Sequence, residues 1–280
     1  MPWVEVAQSA RILRGVLSEL GTPRPGSAFA DLDEMYPFER ASEWTRDFLV
    51  AGIEHLELWA DYAVPMKLHP EAVVLHRLRP VQALARASIE SASHAVWVMA
   101  PARHRECILR HLALVVHDFE EHSKALPLGE KHRMRDAKSE LESRLHSVAP
   151  EAEIPRFPGY MKLVEEASAE SAVNGRKHGA IKDPDEVIRL WRSSAGASHG
   201  KRWPAEALQT SLAPGDTRRI DGKPANYPDP DAITDILQLA DAILTHGVFR
   251  YAVYCGYEPQ LNAMMAQVGD ALLRSIPRKP

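Results

Sequence analysis

Apolar residues recur three and four positions apart along most of this chain, and no stretch keeps the strict alternation of a half-buried strand. The pattern predicts helices over 3–20, 39–63, 70–99, 102–125, 129–148, 159–175, 184–196, 230–254 and 258–275. The expected fold class is therefore all-α: a multi-helix bundle in a single helical domain over 1–280, with N-terminal helices over 1–65, a helical core over 70–200 and C-terminal helices over 230–275. Breakers agree with these limits. Gly21, Pro23 and Pro25 close the first helix, Pro65 precedes the third, Pro101 divides two long periodic segments, and the run PLGE at 127–130 reads as a helical-hairpin turn. Asp183-Pro184 and Asp229-Pro230 each supply a helix N-cap followed by proline in the first turn. Between Gly200 and Pro230 the periodicity stops and Pro, Gly, Asp and Asn crowd together, which predicts one long irregular loop or a short hairpin near 200–230.

Composition adds bounds. With 280 residues, 45% hydrophobic, 26% charged and a net charge of −4, the chain has the profile of a soluble globular protein with a sizeable core. No whole-chain basic field announces nucleic-acid binding, although a local basic patch is compatible with these numbers. Cys107 and Cys255 are the only cysteines and stand far apart, which disfavours a disulfide scaffold or a zinc ribbon and suits a reducing, cytoplasmic setting. The N-terminus lacks the apolar run of a signal peptide. Apolar stretches such as LALVV at 112–116 fall short of the roughly 20 residues a membrane crossing needs, so no membrane association is expected.

Several motifs lose their force in context. The run GASHG at 196–200 fits the hydrolase nucleophile pattern G-x-S-x-G, but that motif needs a preceding strand, and the residues before it, DPDEVIRLWRSSA, have helical spacing. The partners available for Ser198, namely Asp235 or Asp241 with His246, would all lie on one helix. HDFEEH at 117–122 and the Glu90/His94 pair hold ligand-type residues four apart, yet neither H-E-x-x-H nor a repeated Glu-x-x-His is present, and helix-surface pairing is the expected role. No metal is expected. No phosphate-binding glycine loop occurs either, so no cofactor is implied. Residues 130–144 read as a solvated, ion-paired helix face, Arg86 and Glu90 as a pair within their helix, and Trp59, Trp97 and Trp191 as core.

One pairing keeps a chemical reading. Arg192 and His199 enclose six residues, as an arginine–histidine pair does in a class of metal-free ribonucleases. Arg105–His111 and Arg110–His117 have similar spacing, and about three such pairs arise by chance in a chain of this composition. The setting separates the third pair: Arg192 lies late in an amphipathic helix, and Gly196 and Gly200 leave room for a close approach by backbone or phosphate. From Arg79 to Gly200, on the strength of RPVQALARASIESASHAVWVM and the WRSSAGASHG run, the chain resembles HEPN-like helical proteins of uncharacterised bacterial and phage type.

The resemblance implies a metal-independent endoribonuclease with Arg192 and His199 as catalytic residues, acting across a homodimer. Ser193 stands where Asn, Asp or His more commonly follows that family's arginine. His199 would move a proton of the ribose 2′-hydroxyl and Arg192 would stabilise phosphoryl charge, while Ser194 and Ser198 would support them. Lys201, Arg202, Arg218 and Arg219 would bind the RNA backbone. The alternatives are a non-catalytic helical protein with a protein partner, as in phage–host conflict or regulation, and a small-molecule-binding bundle. The alternative role for His199 is a structural histidine at a helix C-terminus.

Overall fold

The computed structural model describes residues 2–66, 77–127, 130, 133–177, 181, 183–211, 219–220, 223–224 and 226–275. The architecture is an all-α multi-helix bundle. Its helices are α1 Pro2–Glu19, α2 Ala28–Met35, α3 Ala41–Ala63, α4 Leu78–Met99, α5 His104–Ala125 and α6 Arg133–His146, then α7 Tyr160–Asn174, α8 Pro184–Ser198, α9 Arg202–Ala207, α10 Pro230–Tyr254 and α11 Leu261–Ser275. The region expected to be a loop or hairpin holds two antiparallel ribbons. Strands β1 Gln209–Ser211 and β4 Asn226–Pro228 pair with each other, and between them β2 Arg219–Ile220 pairs with β3 Lys223–Pro224.

The described helices number eleven, two more than the periodicity predicts. α2 and α9 account for the difference, and both are too short to show a repeat. α2 is held by Ser27, whose hydroxyl accepts the Ala30 N–H, and by two buried anchors, Phe29 and Leu32. α9 has only six residues. The segment 70–76, expected to begin the third long helix, lies outside the described residues.

At the centre α4 packs against both α3 and α10. Ala85, Ser88, Ala92, Ser93 and Ala95 line buried positions of α4, and small side chains let neighbouring axes come close. Glycines on the facing helices complete the fit. A methyl group on Gly247 of α10 would stand 2.7 Å from Leu49 Cδ2, and one on Gly52 of α3 would stand 3.1 Å from Leu244 Cδ1 and 3.3 Å from the Ser88 carbonyl. α10 is apolar enough and, at 25 residues, long enough to cross a membrane by composition alone, but 83% of its apolar window is buried inside the bundle. Its apolarity is that of a central core helix.

Arginines satisfy the carbonyls that helix ends leave open. Arg46 reaches Leu17 and Leu20 at the end of α1 at 2.7 and 2.9 Å, and Arg250 reaches the Met99 carbonyl at the end of α4 at 2.7 Å, joined there by the Tyr254 hydroxyl at 2.8 Å. Trp59 and Trp97 are buried, as expected, and the Trp97 indole N–H donates to Glu166 of α7 at 2.9 Å.

Candidate functional site

α8 begins where Asp183 accepts the Asp185 N–H at 2.9 Å, with Pro184 in its first turn and Asp185 and Glu186 at the positive end of the helix dipole. Val187, Leu190, Ser194 and Ala197 recur at helical spacing and turn inward. Arg189, Arg192 and His199 turn outward. The helix ends in a Schellman arrangement: Gly200 adopts φ +70°, its N–H donates to Ala197 at 3.1 Å, and the Lys201 N–H donates to Gly196 at 2.9 Å. Those bonds take up the last carbonyls, so His199 caps the helix through its backbone. Its ring has no hydrogen-bond partner among the described residues.

Trp191 and Ser194 of α8 are committed to α4. The Trp191 indole N–H donates to Glu90 Oε1 at 2.8 Å, and the same oxygen receives Arg86 at 2.8 Å. The Arg86 guanidinium also lies 5.5 Å from the Trp191 ring centre. The Arg86–Glu90 pair is thus present as expected, but Trp191 is a half-buried member of a polar seam and not a purely apolar core residue. Ser194 is fully buried and shares its one hydroxyl hydrogen between Gln82 Oε1 and the Leu190 carbonyl. Ser194, expected to support Arg192 and His199, has its hydroxyl engaged with α4 and with its own helix. Ser193 is buried too. Ser198 is exposed and donates to the Ser194 carbonyl at 2.8 Å.

On the outer face Arg192, Gly196 and His199 fall at i, i+4 and i+7, a single stripe about 10 Å long. Arg192 is exposed, points a guanidinium N–H at Met161 Sδ 3.1 Å away, and has no carboxylate partner among the described residues. Arg192 is thus turned toward α7, while His199 closes the helix seven residues farther on. The space over Gly196 is not open to a ligand backbone as the sequence suggested. A methyl group there would stand 2.5 Å from Pro204 Cγ and 3.2 Å from Trp203 Cζ2, so α9 packs directly on the stripe.

Lys201 and Arg202 are exposed, and Arg202 pairs with Glu206 at 3.3 Å. Arg219 lies in β2, opposite Pro224, while Arg218 lies outside the described residues.

Beside Arg192 stands a cluster that spacing alone does not reveal. The rings of Phe48, His94, Phe157 and His117 stack in series at 4.7, 5.9 and 4.0 Å between centroids. Tyr160 meets His94 and Phe157 edge-on. These residues come from α3, α4, α5, the segment before α7 and the first residue of α7, and only the turn-rich FPGY at 157–160 marks the spot in sequence. Burial pushes the His94 imidazole below its ordinary pKa, and His117 nearby adds to that, while a bond to the Glu90 carbonyl opposes it. Burial, then the charges of Glu90 and Glu121, push the Tyr160 phenol up. Among the described residues no three His, Cys, Asp or Glu side chains group as cation ligands.

Comparison with protein-family models, with curated proteins and with solved structures finds no match to this chain, so the arrangement at the end of α8 is read from its own geometry.

Proposed function

We propose that the chain is an endoribonuclease that works without a metal, with Arg192 and His199 as its catalytic residues. The supporting observation is the division of α8: Trp191 and Ser194 are tied to α4, whereas Arg192 and His199 stand exposed on one outer stripe with no carboxylate or ring-nitrogen partner among the described residues. In this chemistry the His199 imidazole takes the proton of a ribose 2′-hydroxyl as that oxygen bonds to the neighbouring phosphorus. The bond from phosphorus to the 5′-oxygen breaks, and the leaving oxygen receives a proton from an imidazolium or from water. Arg192 stabilises the charge gathering on the phosphoryl oxygens. On this reading two copies face each other, and the guanidinium of one serves the same phosphate as the imidazole of the other.

The test is cleavage of structured and unstructured RNA in EDTA by the wild type, R192A, H199A and an equal mixture of the two variants. Wild-type cleavage is expected, with losses of about 100-fold or more in each variant and partial recovery in the mixture. No cleavage by the wild type, or equal cleavage by all, overturns the proposal. Losses without recovery keep the chemistry and remove the two-copy site.

A second reading, a protein-interaction module, is favoured by a groove of about 1330 Å³ between α5, α6 and residues 151–157. Val116, Leu141, Leu145 and Phe157 give it an apolar lining, and Lys124, Glu142 and Arg156 charge its rim. RNA cleavage dependent on His199 decides against this as the chief role.

A further inference from the structure

The outer stripe of α8 has an aromatic floor between its two chemical groups. Gly196 falls between Arg192 and His199, one turn from each, and the residues covering it are Pro204 and the six-membered edge of the Trp203 indole. Trp203 is 47% exposed, although it is among the largest apolar side chains in the chain and sits on a packed helix. Its indole N–H has no hydrogen-bond partner among the described residues. Lys201 and Arg202 immediately precede Trp203 in sequence, both exposed, and Arg202 pairs with Glu206. A half-exposed ring with one edge fixed against a glycine that lies one helical turn from both Arg192 and His199 has the makings of a stacking platform for a flat, anion-bearing ligand.

We infer that Trp203 stacks an unpaired nucleobase, which places the adjoining phosphates against Arg192, His199 and Lys201 and makes single-stranded RNA the substrate class. This rests on the ribonuclease reading and adds to it the group that holds the base. Stacking accepts any base, because each has a π-face, so the platform selects unpaired strand over duplex and not one sequence. Gly196 is the device that builds it. Any side chain there would push Pro204 and Trp203 off the stripe and leave the guanidinium and imidazole with no floor between them.

The inference is tested by binding, which is separate from cleavage. Fluorescein-labelled 12-nucleotide deoxy strands, which lack the attacking 2′-hydroxyl, are titrated in anisotropy with the wild type, W203A and W203F. A strand of the same length made only of abasic sugar-phosphates serves as the second probe. Expected is a loss of about 5- to 150-fold for W203A on the base-bearing strand, the loss of one stacked base, with most of the affinity kept by W203F. On the abasic strand the wild type and W203A should bind alike. Equal binding of the base-bearing strand by wild type and W203A overturns the inference. So does an equal loss on both strands, which marks a structural role, and so does failure of the wild type to bind either. Duplex bound as tightly as single strand overturns the substrate class. Trp203-dependent binding without RNA cleavage keeps the platform and removes the nuclease; His199-dependent cleavage indifferent to W203A does the reverse.

Discussion

Replacing Gly196 by alanine separates the two things this position does. The new methyl group would lie 2.5 Å from Pro204 Cγ and 3.2 Å from Trp203 Cζ2, whereas ordinary contact begins at 3.4 Å. Pro204 must therefore retreat by about 0.9 Å, the difference between 3.4 and 2.5 Å. A proline ring cannot rotate out of the way as a leucine methyl does, so the six-residue helix α9 has to move as a unit. Alanine gains about 1 kcal/mol over glycine inside a helix, and overpacking costs about 1–3 kcal/mol where neighbours cannot move. Since α9 is short and lies at the surface, the cost falls at the low end of that range and the two effects nearly cancel. The expected result is an unfolding free energy from urea titration within about 1 kcal/mol of the wild type, together with weakened binding of base-bearing strand as Trp203 leaves its seat. Loss of several kcal/mol with intact binding, or no change in either measurement, would refute the account of how α9 sits on α8.

Other perturbations probe the scaffold. Gly247→Ala places a methyl 2.7 Å from Leu49 Cδ2 at the contact of α10 with α3, and because Leu49 is fully buried between long helices its methyl has no open space to turn into, so the change should destabilise by about 1–2 kcal/mol in urea titrations, unlike Gly196→Ala. Glu90→Gln leaves Arg86 without its charge partner and should cost about 1–3 kcal/mol, with part of the loss recovered in an Arg86→Met/Glu90→Leu double variant; full additivity of the two changes would argue against the pair. His94, His111 and His246 all have pKa values held below the ordinary imidazole value, chiefly by burial, so they stay neutral in the fold while the unfolded chain takes up protons below about pH 6.5. The melting temperature should therefore fall as pH drops from 7.5 to 5.5, less steeply in His111→Gln, and a flat or rising profile over that range would contradict it.

The long helices were legible because their apolar faces repeat over many turns. Pro184 and Pro230, each behind a capping aspartate, fixed the starts of α8 and α10 to the residue. Helix α2 was not legible, since its two buried anchors, Phe29 and Leu32, make no period. α8 runs to Ser198, beyond the expected end at residue 196, because the sequence shows Gly196 as a breaker while the structure uses it as a contact inside the helix. The same ambiguity hid α9. A tryptophan followed by a proline reads as the start of a loop, yet Pro204 is tolerated early in a helix, where its missing N–H needs no partner.

The candidate site was half visible for a related reason. Spacing singled out Arg192 and His199 as a pair near a helix end expected at residue 196, but spacing carries no information about what another element lays over that end, or about which hydroxyls turn inward. Ser194 and Ser198 look equivalent in sequence, four residues apart, yet Ser194 bonds Gln82 inside the bundle and Ser198 stands at the surface. What separates them is the seam with α4. Glu90 holds the Trp191 indole and Gln82 receives Ser194, one helical turn farther along α8, so these two bonds fix both the rotation and the axial position of that helix. A rotation of α8 by one residue, about 100°, would break both bonds and carry Arg192 out of the outer stripe. The exposure of the arginine and the histidine is thus set by buried groups on the opposite side of the same helix. Changes to Gln82 or Glu90 should therefore alter what happens at Arg192 and His199 without touching either.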